Sequence, residues 1–246
     1  MMTANYHTHT RWCRHGTGEI SDYIRYAINI GLSEIAITEH VPLPGDPDDK
    51  RMLLSEFPAY DAELSRAIAE YSNKIRIRKG FECEYYPWLA DTYRKYKEEY
   101  GYEILMLGQH SNYTRTFDNF RAREPWQLAI YAEEICEGLR SGLFDFLAHP
   151  DVVIHGYRHA DESMLQAMAQ IFKTCREYNV PVEINALGIL YNRGYPNKEI
   201  WKLAKDYSLA CIINSDAHHV KELSGGHIKK AFDFADELGL KTISIL

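Results

Sequence analysis

Two histidines one residue apart, His7 and His9, begin a series of side chains able to hold a cation. Side chains alternate along an extended segment, so both imidazoles lie on one face, about one strand repeat apart, and can reach one ion. His40 follows Thr38-Glu39, Glu82 closes Gly80-Phe81, His110 follows Gly108-Gln109, and His149 precedes Pro150-Asp151. Asp216 and His218 form an alternate pair late in the chain, and His15 lies shortly after the first pair. A lone histidine at such a place is more often a hydrogen-bonded core or loop residue. Seven imidazoles and two carboxylates in corresponding places are a ligand set. Mixed nitrogen and oxygen donors suit Zn, Mn or Fe, whereas Ca and Mg favour nearly all-oxygen surroundings.

Such residues need elements that end together. Short apolar or β-branched runs alternate with amphipathic stretches, which predicts a parallel α/β architecture. Strands are expected at 6–9, 34–38, 75–83, 103–109, 144–149, 180–185, 210–215 and 242–246. Helices are expected at 20–30, 55–71, 89–100, 125–139, 161–178, 198–207 and 227–238. In the first of these, Ile20, Tyr23, Ile24, Ala27 and Ile28 share a face, and Gly31 ends it. Nearly every candidate ligand falls at or just past a strand's C-terminal end, where β/α barrels build their sites. Loops 41–54 and 111–122, rich in Pro, Asp and Gly, would form the mouth.

The chain is 246 residues long, enough for one ordinary domain with a full core and no staple. No linker or composition shift divides it, so residues 1–246 read as a single domain. Its formal charge of −7, with no basic tract, argues against a partner held by neutralising nucleic-acid phosphates. The five scattered cysteines include no CxxC pair, which disfavours a disulfide framework or zinc ribbon. Without a membrane-length apolar run or a signal-peptide pattern, the expectation is a complete cytoplasmic protein with no membrane partner.

The runs Asn5-Tyr6-His7-Thr8-His9-Thr10, Thr38-Glu39-His40, Gly80-Phe81-Glu82, Gly108-Gln109-His110, Ala148-His149-Pro150-Asp151 and Asn214-Ser215-Asp216-Ala217-His218 resemble the polymerase and histidinol phosphatase (PHP) superfamily of metal-dependent phosphoesterases, within it the histidinol-phosphatase-like members. The resemblance implies a single distorted (β/α)7 TIM-like barrel with three divalent metal ions at the C-terminal ends of its strands. Carried over, one ion takes His7, His9, Glu82 and Asp216, a second Glu82, His110 and His149, and a third His15, His40 and His218. Gln109 stands where a small residue is expected.

Three dications against two carboxylates leave a pocket suited to a phosphate dianion. The implied reaction is hydrolysis of a small phosphorylated metabolite, L-histidinol phosphate first, in histidine biosynthesis. Asp216, Glu82 and His218 are the catalytic candidates: Asp216 as general base, Glu82 bridging two ions, and a ligand histidine or metal-bound water protonating the alkoxide. Arg158, Arg193 and His40 are the substrate-binding candidates, a guanidinium being able to grip phosphate bidentately. Arg11 and Arg14 are weaker ones. Asn185 points inward or makes a strand-end bond; Asp151 orients His149 or starts a turn. Glu84 either meets a substrate ammonium or is solvated, and alternation turns Cys83 away from Glu82. Trp12, Tyr85, Trp88, Tyr113, Tyr157 and Tyr191 lie near the mouth as stacking surfaces or wall. The rival readings are a phosphoesterase for a nucleotide bisphosphate, cyclic phosphodiester or oligonucleotide, a metal-dependent amidohydrolase, and a non-catalytic metal binder. The sequence leaves the oligomeric state open.

Overall fold

Parallel strands need crossovers, and the chain supplies helices for them. The computed structural model describes residues 2–44 and 50–246. Strands β1 (Ala4–Asn5), β2 (Glu34–His40), β3 (Arg76–Cys83), β4 (Ile104–Leu107), β5 (Phe146–Leu147), β6 (Val182–Asn185), β7 (Ala210–Asn214) and β8 (Lys241–Ile243) form one parallel sheet in sequence order. The connecting helices are α1 (Ile20–Asn29), α2 (Phe57–Tyr71), α3 (Ala90–Tyr100), α4 (Pro125–Arg140), α5 (Ile154–Tyr157), α6 (Glu162–Tyr178), α7 (Ala186–Leu190), α8 (Lys198–Asp206) and α9 (Gly226–Leu238). The seven expected helices are present, and the short α5 and α7 join them within what reads as loop.

Alternation sorts the core. Ala36, Ile104, Met106, Phe146 and Ile212 pack with Ala4 and Tyr6 inside the curled sheet, while Ile35, Ile37, Phe81, Leu105 and Val182 join a larger cluster under the helices. Among the described residues the sheet has eight strands rather than the seven of the expected barrel, because the final segment adds β8 in register with Ala210–Ile212 of β7. Closure onto β1 is partial and lies at the other end of β7. There Thr8 bridges Ala217, the Tyr6 amide donates to Asn214 Oδ1 at 2.8 Å, and the Ser215 amide donates to Asn5 Oδ1 at 2.7 Å. Two asparagine side chains thus replace the missing ladder bonds.

The first strand is shorter than expected: β1 ends at Asn5, so His7 and His9 sit just beyond it. The same shortening leaves His149 two residues past β5. After β6, Asn185 caps α7 by accepting from the Gly188 amide at 3.1 Å. A Cβ on Gly188 would overlap the Tyr195 ring and carbonyl, both close neighbours of this turn. Gly188→Ala is therefore expected to lower the unfolding free energy by about 1–3 kcal/mol, the usual cost of overpacking, read from urea denaturation.

Candidate metal centre

Strand ends bring the donor atoms together. His7 Nε2 and His9 Nε2 lie 3.0 Å apart, and Asp216 Oδ1 is 3.2 Å from the first and 3.5 Å from the second. Glu82, on β3, faces them with Oε2 at 3.2 Å from His9 Nε2 and 3.5 Å from His7 Nε2. Its other oxygen reaches His149 Nε2 at 2.8 Å and His110 Nε2 at 3.2 Å. His15 Nε2 and His218 Nε2 meet at 2.8 Å. His40 approaches Glu82 Oε2 through Nδ1 at 3.0 Å, and it groups with His9 and His218 as donors to one point. All nine expected ligands enter one continuous cluster.

A test of fit comes from the histidines' outer nitrogens. His15 Nδ1 donates to the Cys13 carbonyl at 2.7 Å and His218 Nδ1 to the Asp216 carbonyl at 3.0 Å. A carbonyl only accepts, so each ring carries its proton on Nδ1 and turns an Nε2 lone pair toward the other. Two lone pairs at that separation repel unless a cation lies between or beside them. Burial favours the neutral ring at both His9 and His40, the latter pushed down to about 3, keeping these nitrogens available as donors. At His7 and His110 burial also disfavours protonation. The carboxylates outweigh it, chiefly Asp216 at His7 and Glu82 at His110, which is raised to about 10. Gly108 completes the cradle, since a Cβ there would strike the Glu82 carboxylate. Overlapping clusters of His, Glu and Asp are thus able to hold several divalent ions.

Backbone strain marks the same place. His149 and Asp216 have φ of 25° and 53°, left-handed values that side-chain-bearing residues adopt at a cost of about 1–3 kcal/mol. Asp216 is held there by Asn185, whose Nδ2 donates to its Oδ2 at 3.1 Å. Asn185 does point inward.

The cluster lies at the base of a cavity of about 970 Å³ lined by Arg158, Arg193, Arg121, Arg123, Phe120 and Tyr191, among others. Arg193 rests over the Tyr191 ring, 5.2 Å from its centroid, and donates to Tyr195 Oη at 3.3 Å. Of the six aromatics near the predicted mouth, Tyr191 lines the cavity; Trp12 instead packs on Tyr60, and Trp88 stacks on Tyr86. Loop 111–122 supplies part of the wall, and loop 41–54 is described except for residues 45–49, which lie outside the described residues.

Several minor candidates find other work. Glu84 is neither solvated nor open to substrate: Arg51 grips both its oxygens, at 2.9 and 2.8 Å, and His110 Nδ1 lies 3.4 Å away. Asp151 does not orient His149. Its carboxylate accepts from the Asn197 amide at 2.7 Å and Trp201 Nε1 at 3.1 Å, anchoring the segment before α8. Arg11 pairs with Glu19 and Glu63, and Arg14 with Glu56. Cys83 is buried in the outer core, and Gln109 ties Tyr85 to Ser111.

Glu183 is a residue that sequence reasoning passes over. Fully buried on β6, it takes His7 Nδ1 at 2.8 Å, the His149 amide at 2.9 Å, and the side chains of Asn185 and Asn214 at 2.9 and 3.1 Å. Burial opposes its charge, but these contacts, His7 foremost, hold its pKa down. The available signal was a Glu inside an apolar parallel strand, where an unpaired charge is very costly.

The sequence pattern of the PHP domain matches residues 5–187. The chain belongs to the PHP family. It is a histidinol-phosphatase-like, metal-dependent phosphoesterase. This PHP protein is 26% identical over 245 residues to a Deinococcus radiodurans protein named "Probable histidinol-phosphatase", covering 94% of this chain and 89% of that one. It is 23% identical to the histidinol-phosphatase of Bacillus subtilis, covering 94% and 98%. The fold of the PHP protein superposes with a TM-score of 0.75 on the histidinol phosphate phosphatase of Lactococcus lactis, solved with zinc, L-histidinol and phosphate. That likeness has 16% identity and covers 98% of this chain and 95% of that one. No described helix is long and apolar enough to cross a membrane.

Proposed function

We propose that this PHP enzyme hydrolyses a small phosphomonoester, with L-histidinol phosphate as its substrate and three divalent ions as its cofactors. The observation that carries the reading is the set of opposed donor atoms around Glu82 at the floor of an arginine-lined cavity. The names of the curated relatives support the choice of alcohol. His7, His9, Glu82 and Asp216 would hold one ion, Glu82, His110 and His149 another, and His15, His40 and His218 the third. Zn, Mn or Fe bound there supplies Lewis acidity toward the phosphoryl group and lowers the pKa of water.

The chain's own groups do the rest. Arg193, oriented by Tyr191 and Tyr195, and Arg158, which also lines the cavity, bind phosphoryl oxygens. Asp216 would ligate an ion through Oδ1, which faces His7 and His9, and take the proton of the attacking water on Oδ2, the oxygen that Asn185 Nδ2 holds in place.

The test compares kcat/KM for L-histidinol phosphate with values for p-nitrophenyl phosphate, an adenosine bisphosphate and a short single-stranded DNA, with Mn or Zn added. A value of about 10⁴ M⁻¹s⁻¹ or more for the first, with weak comparators, is expected. Faster hydrolysis of another compound would discard histidinol phosphate while keeping the phosphoesterase. Chelator-resistant turnover would discard the ion-dependent reading altogether.

A further inference from the structure

Glu39 has no place in the ligand set, yet it is fully buried next to one member of it. Its Oε1 is committed: it accepts from the Thr10 amide at 2.7 Å and from Thr10 Oγ1 at 2.6 Å. Among the described residues its Oε2 has no hydrogen-bond partner, and neither has Nδ1 of the equally buried His9. These two atoms face each other at 3.9 Å. The neighbouring thiol does not compete for the imidazole, because Cys13 Sγ donates to the Thr10 carbonyl and accepts from the Gly16 amide, each at 3.1 Å. Closing the gap to hydrogen-bonding range needs a movement of about 1 Å.

We infer that Glu39 is a positioning residue: its Oε2 accepts the Nδ1 proton of His9 and so turns the His9 Nε2 lone pair toward Glu82 and Asp216. A carboxylate behind a ligating imidazole fixes both the tautomer and the ring plane. Glu183 stands behind His7 in the same relation, at full hydrogen-bond distance. Glu39 extends that arrangement to the second histidine of the pair from a different strand, β2. The inference rests on His9 being a metal ligand, but not on the identity of the substrate.

The committed Oε1 makes a distinctive variant possible. In Glu39→Gln the oxygen must stay with the two Thr10 donors, which places the amide NH₂ opposite His9 Nδ1. An NH₂ only donates, so the His9 proton is driven to Nε2 and the ligand lone pair is lost. Glu39→Asp keeps an acceptor-only group and the tautomer. The full-length protein would be equilibrated against buffered Mn²⁺ at graded concentrations with metal content read per chain, and imidazole ¹⁵N shifts of the metal-free protein would report the His9 tautomer.

Expected is a loss of Mn²⁺ affinity of about 10–100-fold in Glu39→Gln, with the proton moved to Nε2. Glu39→Asp should hold Mn²⁺ close to wild type with the proton on Nδ1. Unchanged affinity or an unchanged His9 tautomer in Glu39→Gln would overturn the inference, as would an equal loss in Glu39→Asp, which would mark a purely structural carboxylate. None of these readouts involves a phosphoester, so failure of the substrate assignment is seen separately.

Discussion

A Glu82→Gln enzyme is expected to lose on the order of 10³-fold in kcat/KM and to be purified with less bound metal, the two losses appearing together. The reason lies in how its oxygens are spent. Oε1 faces His149 and His110 at 2.8 and 3.2 Å, while Oε2 faces His40, His9 and His7 at 3.0, 3.2 and 3.5 Å. Whichever oxygen becomes an amide nitrogen, its two hydrogens point into a region where donor lone pairs converge. The substitution also removes the negative charge that the surrounding imidazoles hold in place: burial opposes ionisation of Glu82, but His110, His40 and His7 keep its pKa well below the ordinary value. Metal analysis beside steady-state kinetics checks this. Full metal content with full activity would remove Glu82 from the bridging role.

The second large effect is expected at Glu183. Each of its four partners donates: His7 Nδ1, the His149 amide, Asn185 Nδ2 and Asn214 Nδ2. Glutamine can accept only at its oxygen. Its nitrogen would bring hydrogens against two of those donors in a site sealed from water. Glu183→Gln should cost about 3–5 kcal/mol of unfolding free energy, as expected for breaking a buried charged network. Metal affinity should fall about 10–100-fold as His7 loses its fixed tautomer. Urea denaturation and Mn²⁺ titration measure the two separately. An unchanged urea midpoint would mean that the network tolerates mispaired donors, and an unchanged affinity that His7 is oriented by something else.

The clustering of the candidate donors was legible because chemistry and periodicity agreed. His7 and His9 meet at 3.0 Å although β1 stops at Asn5, since the chain past the strand keeps their side chains on one side. What escaped was the support behind them. Glu183 and Glu39 look like ordinary acidic residues until the strands are assembled and each is found sealed behind a histidine. Glu84 was misjudged for a related reason. Its partner Arg51 comes from the segment after β2, and no local pattern announces a pairing between residues 33 positions apart. The strand list contained the eighth strand, yet the expected seven-stranded barrel did not, because the family pattern rests on site residues that end at His218. The minor helices α5 and α7 fit the same explanation: with 4 and 5 residues they are too short for a periodic signal.

The clasp between the two ends of the sheet has a consequence for how the molecule comes into being. Asn5 reaches Ser215 across 210 positions, and the first and last pairs of candidate ligands, His7 with His9 and Asp216 with His218, flank that seam. During synthesis the early histidines emerge long before Asp216. A nascent chain that stops short of Asp216 offers Glu82 and the earlier imidazoles, but leaves the proposed first ion position incomplete. Completion of that position is thereby postponed until Asp216 has been made, and products arrested or truncated before it should retain less metal than a chain that includes it.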